Sequence, residues 1–124
     1  MNRLAITFLT GLLCLAPLVV SAADPVQKSI AELYQEKDQL KGKQVKLQGK
    51  VVKVNNGILN RNFIHLQDGT GKEGTNDITV TSQQTAEVGD QVTVVGTVTV
   101  DLDFGSGYTY PVIVEKATIT KVEK

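Results

Sequence analysis

From Val45 onward the chain is written in period two. Val45, Leu47, Gly49 and Val51 alternate with Lys46, Gln48 and Lys50, and Val52 and Val54 then continue on the opposite parity. Strict alternation marks a strand with one face on a core and the other in water. A change of parity inside it demands a bulge or a sharp coil, for which Gly49 offers backbone freedom. Asn55-Asn56-Gly57 reads as a turn, and Ile58 to Gln67 as the next strand, with Ile64 and Leu66 on one face and Phe63 and His65 on the other. Ile78 and Val80 mark a short third strand. Glu87-Val88-Gly89-Asp90 turns the chain into a long fourth strand from Val92 to Leu102, with Thr93, Thr97 and Thr99 outward. A fifth strand runs from Tyr108 to Val114 and from Ala117 to Val122, bent near Pro111. Before the strands the period is helical: Ser29 and Glu32 form a capping box, and Ile30, Leu33, Tyr34 and Leu40 trace an apolar stripe over Ser29 to Gln39.

One short N-terminal helix and five strands, the first coiled, describe an all-β, five-stranded OB-fold-like Greek-key barrel. An SH3-like barrel or a small sandwich has a similar strand count, but the parity change, the mid-strand glycine and the long fourth strand favour the OB plan. OB domains commonly carry a helix between the third and fourth strands. Thr81 to Glu87 is too short for more than one turn, so the N-terminal helix is expected to cover that end of the barrel.

The remaining segment is of a different kind. Arg3 is followed by an apolar run from Leu4 to Val20, broken by Pro17, and by the small residues Ser21 and Ala22. That is the pattern of a signal peptide cleaved after Ala22. Residues 1–22 are therefore expected to be removed, leaving residues 23–124 as one periplasmic OB-fold domain with no membrane span. All 13 acidic residues lie beyond residue 22 and one of the 13 basic residues lies before it, so the mature domain carries one net negative charge. Such a domain gains little from counterion release, and tight nonspecific nucleic-acid binding is not expected. Cys14, the single cysteine, and Met1, the single methionine, also fall in the removed segment, and one histidine, His65, is left. This inventory excludes disulfides, thiol catalysis, iron–sulfur and covalent haem sites, blue copper and multi-histidine metal centres.

In an OB-fold the binding surface lies over the second and third strands, between two flanking loops. Asn60, Arg61, Asn62, Phe63 and His65 fall on the first part of that surface, and Asp101, Asp103, Phe104, Tyr108 and Tyr110 on the fourth strand and the loop after it. Of the aromatic residues beyond residue 22, Tyr34 alone lies elsewhere. Aromatic rims of this kind stack bases or sugar rings, and Arg61 suits an anionic group. The same rings also suit barrel closure, and the pattern leaves both readings open. His65 reads as a hydrogen-bonded structural residue in preference to a metal or haem ligand. Asp101 and Asp103, about 6–7 Å apart on one strand face, read as solvated loop anchors or contacts to a cationic partner. Asp68-Gly69-Thr70-Gly71 lacks the following lysine and helix of a phosphate loop and reads as a hairpin turn.

The segments Gly57 to Gly71 and Val100 to Glu115, within a match from Lys41 to Lys121, resemble a family of small secreted OB-fold proteins of Gram-negative bacteria. These are the NrfJ-related proteins found near genes for multihaem cytochrome c nitrite and sulfite reductases. Members often carry Trp where this chain has Phe63. More distantly the chain looks like the bacterial OB-fold stress proteins of the periplasm. The resemblance implies a periplasmic accessory or binding protein in the setting of a respiratory cytochrome system, and the residue inventory adds the expectation of a protein partner or small ligand with no catalytic activity, metal or cofactor. The alternative is an oligonucleotide- or oligosaccharide-binding module that uses the rim aromatics. An enzyme ranks last, since no nucleophile–base pair or cofactor loop can be assembled from these residues.

Overall fold

The structure, a computed structural model, describes residues 24–105 and 107–122. The expected signal peptide lies outside the described residues. The chain runs β1 (Val26–Gln27), α1 (Ile30–Gln35), α2 (Lys37–Leu40), β2 (Gln44–Ile58), β3 (Arg61–Gln67), β4 (Ile78–Ser82), β5 (Gln91–Asp103) and β6 (Thr109–Lys121). β2 pairs with both β3 and β5, β3 with β4, β4 with β6 and β6 with β5, so the five long strands close a ring. This is the expected OB-type barrel. The two-residue β1 adds to it, lying parallel to β2 at Val45 and Lys46.

β2 serves two halves of the barrel. Gln44 to Lys50 pair with β5, and Lys50 to Ile58 pair with β3. The register slips between Val51 and Lys53, where the parity of the sequence changes. Gly49 plays a different part from the one expected. A Cβ there would lie 3.0 Å from the Gln67 carbonyl oxygen, so the residue allows close approach of β3 rather than unusual torsion.

Two expectations are corrected. Asn55-Asn56-Gly57 is not the turn, because β2 continues to Ile58 and the reversal falls on Leu59 and Asn60, both at positive φ. Asn56 and Gly57 occupy an irregularity inside the ladder, held by the Gly57 N–H donating to Asn62 Oδ1 at 2.9 Å. β3 consequently begins at Arg61 and not at Ile58. The register break in the last strand lies at Lys116 (φ 54°), with β5 slipping opposite it between Val95 and Thr97; at Pro111 the ladder keeps its register but skips one pair, and Asp101 opposite it stands at positive φ.

The barrel core is aliphatic: Val45, Leu47, Val51, Ile64, Leu66, Ile78, Val80, Val92, Val94 and Val114 are all fully buried. One end is closed by the helices, as expected, with Ile30, Leu33 and Leu40 joining the same cluster. The helical segment is two short helices split at Glu36, and the Ser29–Glu32 capping box is formed. The Asp68–Gly71 stretch is not a tight hairpin turn. It opens a ten-residue connection from β3 to β4, and its Asp68 and Thr70 side chains accept the Ile30 and Ala31 N–H groups.

Candidate functional site

β3 and β4 present an outer face opposite the core. Alternation places Phe63 and His65 there, and the register sets Thr81 beside Phe63 and Thr79 beside His65. On β6, Ile113 and Glu115 have the same outward parity, since Val112 and Val114 belong to the core cluster. Yet Phe63 is only 3% exposed and Ile113 is fully buried. The loop after β5 explains this for Phe63, because it folds its aromatic residues back over the face. Phe104 meets the Phe63 ring edge-on at 5.6 Å, and Tyr110 lies 6.0 Å from Phe104 and 6.4 Å from Phe63. Burial raises the Tyr110 hydroxyl pKa above its ordinary value, with the neighbouring Tyr108 adding to it.

Arg61 finishes the cluster. Its guanidinium lies over the Phe104 ring, 5.3 Å from the centroid. Nε donates to the Leu59 carbonyl at 3.1 Å and Nη1 faces Glu115 Oε2 at 3.4 Å. Glu115 Oε1 accepts from the Thr99 hydroxyl at 2.9 Å, so the carboxylate is held from both sides. Beside this cluster, where β4 ends and β6 breaks at Lys116, lies a groove of about 430 Å³ lined by Arg61, Thr81, Gln83, Gln84, Glu115 and Lys116, among others. β4 and β6 pair only at Val80 and Val114, and beyond that point side chains bridge the two elements. The Ser82 hydroxyl donates to the Ala117 carbonyl at 2.6 Å, and the Ile119 N–H donates to Gln84 Oε1 at 2.7 Å.

Of the expected site residues, Arg61, Phe63, Phe104 and Tyr110 come together. Tyr108 flanks them and is 45% exposed, with its carbonyl accepting the Phe104 N–H. The two asparagines are fastenings: the Asn60 carbonyl accepts from Gln83 Nε2 at 2.8 Å, and Asn62 Nδ2 donates to the Gln84 carbonyl at 3.0 Å. Asp101, at positive φ, is exposed, and Asp103 Oδ1 accepts the Gly105 N–H at 2.7 Å. His65 turns away from the cluster, with Nδ1 3.2 Å from Asp77 Oδ1 and 3.5 Å from the Thr79 hydroxyl. Among the described residues no group of three or more His, Cys, Asp or Glu side chains is placed to hold a metal ion. No helix among them is long and apolar enough to cross a membrane. Glu115, Thr81, Lys116 and the two glutamines were missed. A second parity change, from Val112 and Val114 to Ala117 and Ile119, is a sequence signal for Glu115 and Lys116, and Thr81 and the two glutamines carry none.

No curated protein matches the chain. Among solved structures, an OBody bound to hen egg-white lysozyme is similar with a TM-score of 0.59 at 17% identity, covering 84% of this chain and 99% of that one. A DUF3299 family protein from Pseudomonas aeruginosa gives 0.55 at 12% identity, covering 82% and 99%. A putative aspartyl-tRNA synthetase from Leishmania major gives 0.54 at 17% identity, covering 88% of this chain but 24% of that one. At these identities the likeness is one of fold. The model of an OB-fold family matches residues 14–121, nearly the whole chain, and on that match the chain belongs to the RecQ-mediated genome instability protein 2 (RMI2) family.

Proposed function

We propose that this chain is a secreted, non-catalytic OB-fold module of the periplasm that captures a protein partner on the outer face between the β2–β3 turn and the β5–β6 loop. The observation that carries the reading is Arg61, stacked on Phe104 and faced by Glu115 at the edge of an open groove. Cations laid over aromatic rings and flanked by polar rims are the material of protein-binding hot spots. The OBody shows that a protein of this fold can be bound to another protein, there lysozyme. The apolar run from Leu4 to Val20 and the small residues after it support secretion. The resemblance to NrfJ-related proteins supports service to a respiratory multihaem cytochrome system. The family name speaks of RecQ-mediated genome instability, but one net negative charge over residues 23–124 offers little to a phosphate backbone, which favours a protein over a nucleic acid as the ligand. Catalysis has little support: Asp77 and Thr79 both address the same nitrogen of His65, so the ring cannot relay a proton from one to the other.

The test is capture from a periplasmic extract with the wild-type protein and with Arg61→Ala and Tyr108→Ala. Both variants should lose the partner while their thermal midpoints stay within about 5 °C of wild type, as for partly exposed positions. Intact mass should place the mature N-terminus near Ala23. Normal capture by both variants, or a mature protein that retains residues 1–22, would refute the reading.

A further inference from the structure

Thr81 is 2% exposed, and its hydroxyl has no hydrogen-bond partner among the described residues although it lines the groove. A buried hydroxyl without a partner is a group waiting for one. Its neighbour Ser82 shows the contrast, since that hydroxyl donates to the Ala117 carbonyl and accepts the Gln84 N–H. Two cationic side chains line the same groove. Lys116, held at positive φ in the β6 break, is exposed and forms no ion pair among the described residues. Arg61 uses one amino nitrogen toward Glu115 and Nε toward the Leu59 carbonyl. Glu115 is engaged by Arg61 and by Thr99, so these three charged groups leave the groove with one net positive charge.

The shape of the groove narrows the ligand further. β4 and β6 separate after a single paired position, and the Ala117 carbonyl and Ile119 N–H of β6 are met there by side chains instead of by a strand. The main chain there is already hydrogen-bonded, so the groove presents side chains and no bare strand edge to what lies in it. A volume of about 430 Å³ admits a short run of chain.

The geometry points to this groove as the seat of a short acidic peptide segment, with a carboxylate held between Arg61 and Lys116 and accepting the Thr81 hydroxyl. The inference rests on the reading that the outer face captures a protein partner, and it names the chemistry of the partner's segment. Arg61 supplies planar donors and Lys116 a point charge, and both strengthen in a groove partly shielded from water.

The probe is a fluorescein-labelled octapeptide alternating glutamate and valine, read by anisotropy on the secreted full-length product. Its controls are the same peptide with glutamine for glutamate and free glutarate as competitor. The glutamate peptide should bind at least about tenfold tighter than the glutamine peptide, as charge-assisted pairing requires. Lys116→Gln and Arg61→Gln should each weaken it about fivefold or more. Thr81→Val, nearly the same shape, should weaken it with little change in the melting curve, and Thr81→Ser should restore it. Equal binding of the two peptides, absence of glutamate-peptide binding, or indifference to Lys116→Gln overturns the assignment. Displacement by glutarate at its own equal affinity overturns it too, in favour of a small-acid site. Should partner capture depend on Arg61 and Tyr108 while Lys116→Gln changes nothing, the face stands and the acidic peptide alone falls.

Discussion

The carboxylate of Asp68 accepts the backbone N–H of Ile30 at 2.9 Å across a separation of 38 residues. Its other oxygen takes the Thr70 N–H at 3.0 Å and the Thr70 hydroxyl, and that hydroxyl oxygen in turn accepts the Ala31 N–H at 3.0 Å. The loop after β3 thereby satisfies two free amides at the start of α1 that Ser29 does not reach. It ties the helix that closes the barrel to the barrel wall.

This latch titrates. Partial burial pushes the Asp68 carboxyl up, but the hydrogen bonds from the Thr70 hydroxyl and the Ile30 and Thr70 amides together outweigh it and hold the group below the ordinary aspartate range. A carboxyl depressed in the folded state contributes stability above its unfolded pKa and loses it as pH falls through the folded value. Thermal midpoints should therefore decline below about pH 4, the ordinary aspartate range. Asp68→Ala should cost about 1–2 kcal/mol at neutral pH, as loss of a helix cap and its charged bonds does. It should also flatten the acid limb. An unchanged acid limb in Asp68→Ala refutes the latch.

The parts of the fold legible in the sequence are those written in local periodicity. The parity change after Val51 announced the slip in β2, and Ser29 with Glu32 announced the helix start, because each depends on neighbours a few residues away. Asn55-Asn56-Gly57 misled because the same residue types serve bulges and turns. The turn itself went to Leu59 and Asn60, and leucine at positive φ carries no compositional warning. Pro111 predicts a bend in β6 on residue type and the ladder does skip a pair there, but the register break falls at Glu115 and Lys116, where the chain changes parity a second time. In the site, Arg61 and the aromatics were visible as a cluster, but Thr81 and Glu115 reach the groove only through β4–β6 closure, which no local pattern encodes.

The approach of β5 to the β6 break has its own test at Gly96. A Cβ there would lie 2.6 Å from Val114 Cγ1, 2.9 Å from the Glu115 carbonyl and 3.2 Å from Ala117 Cα, in the slip opposite the β6 break. Gly96→Ala should cost about 1–3 kcal/mol, as overpacking does. At Gly49 the nearest atom is 3.0 Å away, so Gly49→Ala should shift the thermal midpoint less. A Gly96→Ala protein as stable as wild type would mean that the two strands do not approach as described.

Charge makes a separate prediction. With one net negative charge beyond residue 22, the domain should bind a labelled single-stranded oligonucleotide no more tightly than about 1 μM at physiological salt, and with a shallow salt slope. Anisotropy across a salt series measures both. Submicromolar binding with a steep slope would favour an oligonucleotide-binding role for the rim.

Phe63 and Tyr108 separate packing from recognition within the rim. Phe63 is 3% exposed beneath Phe104 and Tyr110, while Tyr108 is 45% exposed. Truncating a buried aromatic removes both its transfer energy and its packing, so Phe63→Ala should cost about 3–5 kcal/mol. For a domain near one hundred residues that moves the thermal midpoint by more than about 10 °C. Tyr108→Ala loses only surface contact, about 1 kcal/mol or less. Melts of both variants therefore assign the two roles: Phe63 builds the platform, and Tyr108 is free to touch what docks on it. If Tyr108→Ala unfolds as readily as Phe63→Ala, the loop aromatics are barrel packing throughout, and the outer face offers Arg61 and the groove alone for recognition.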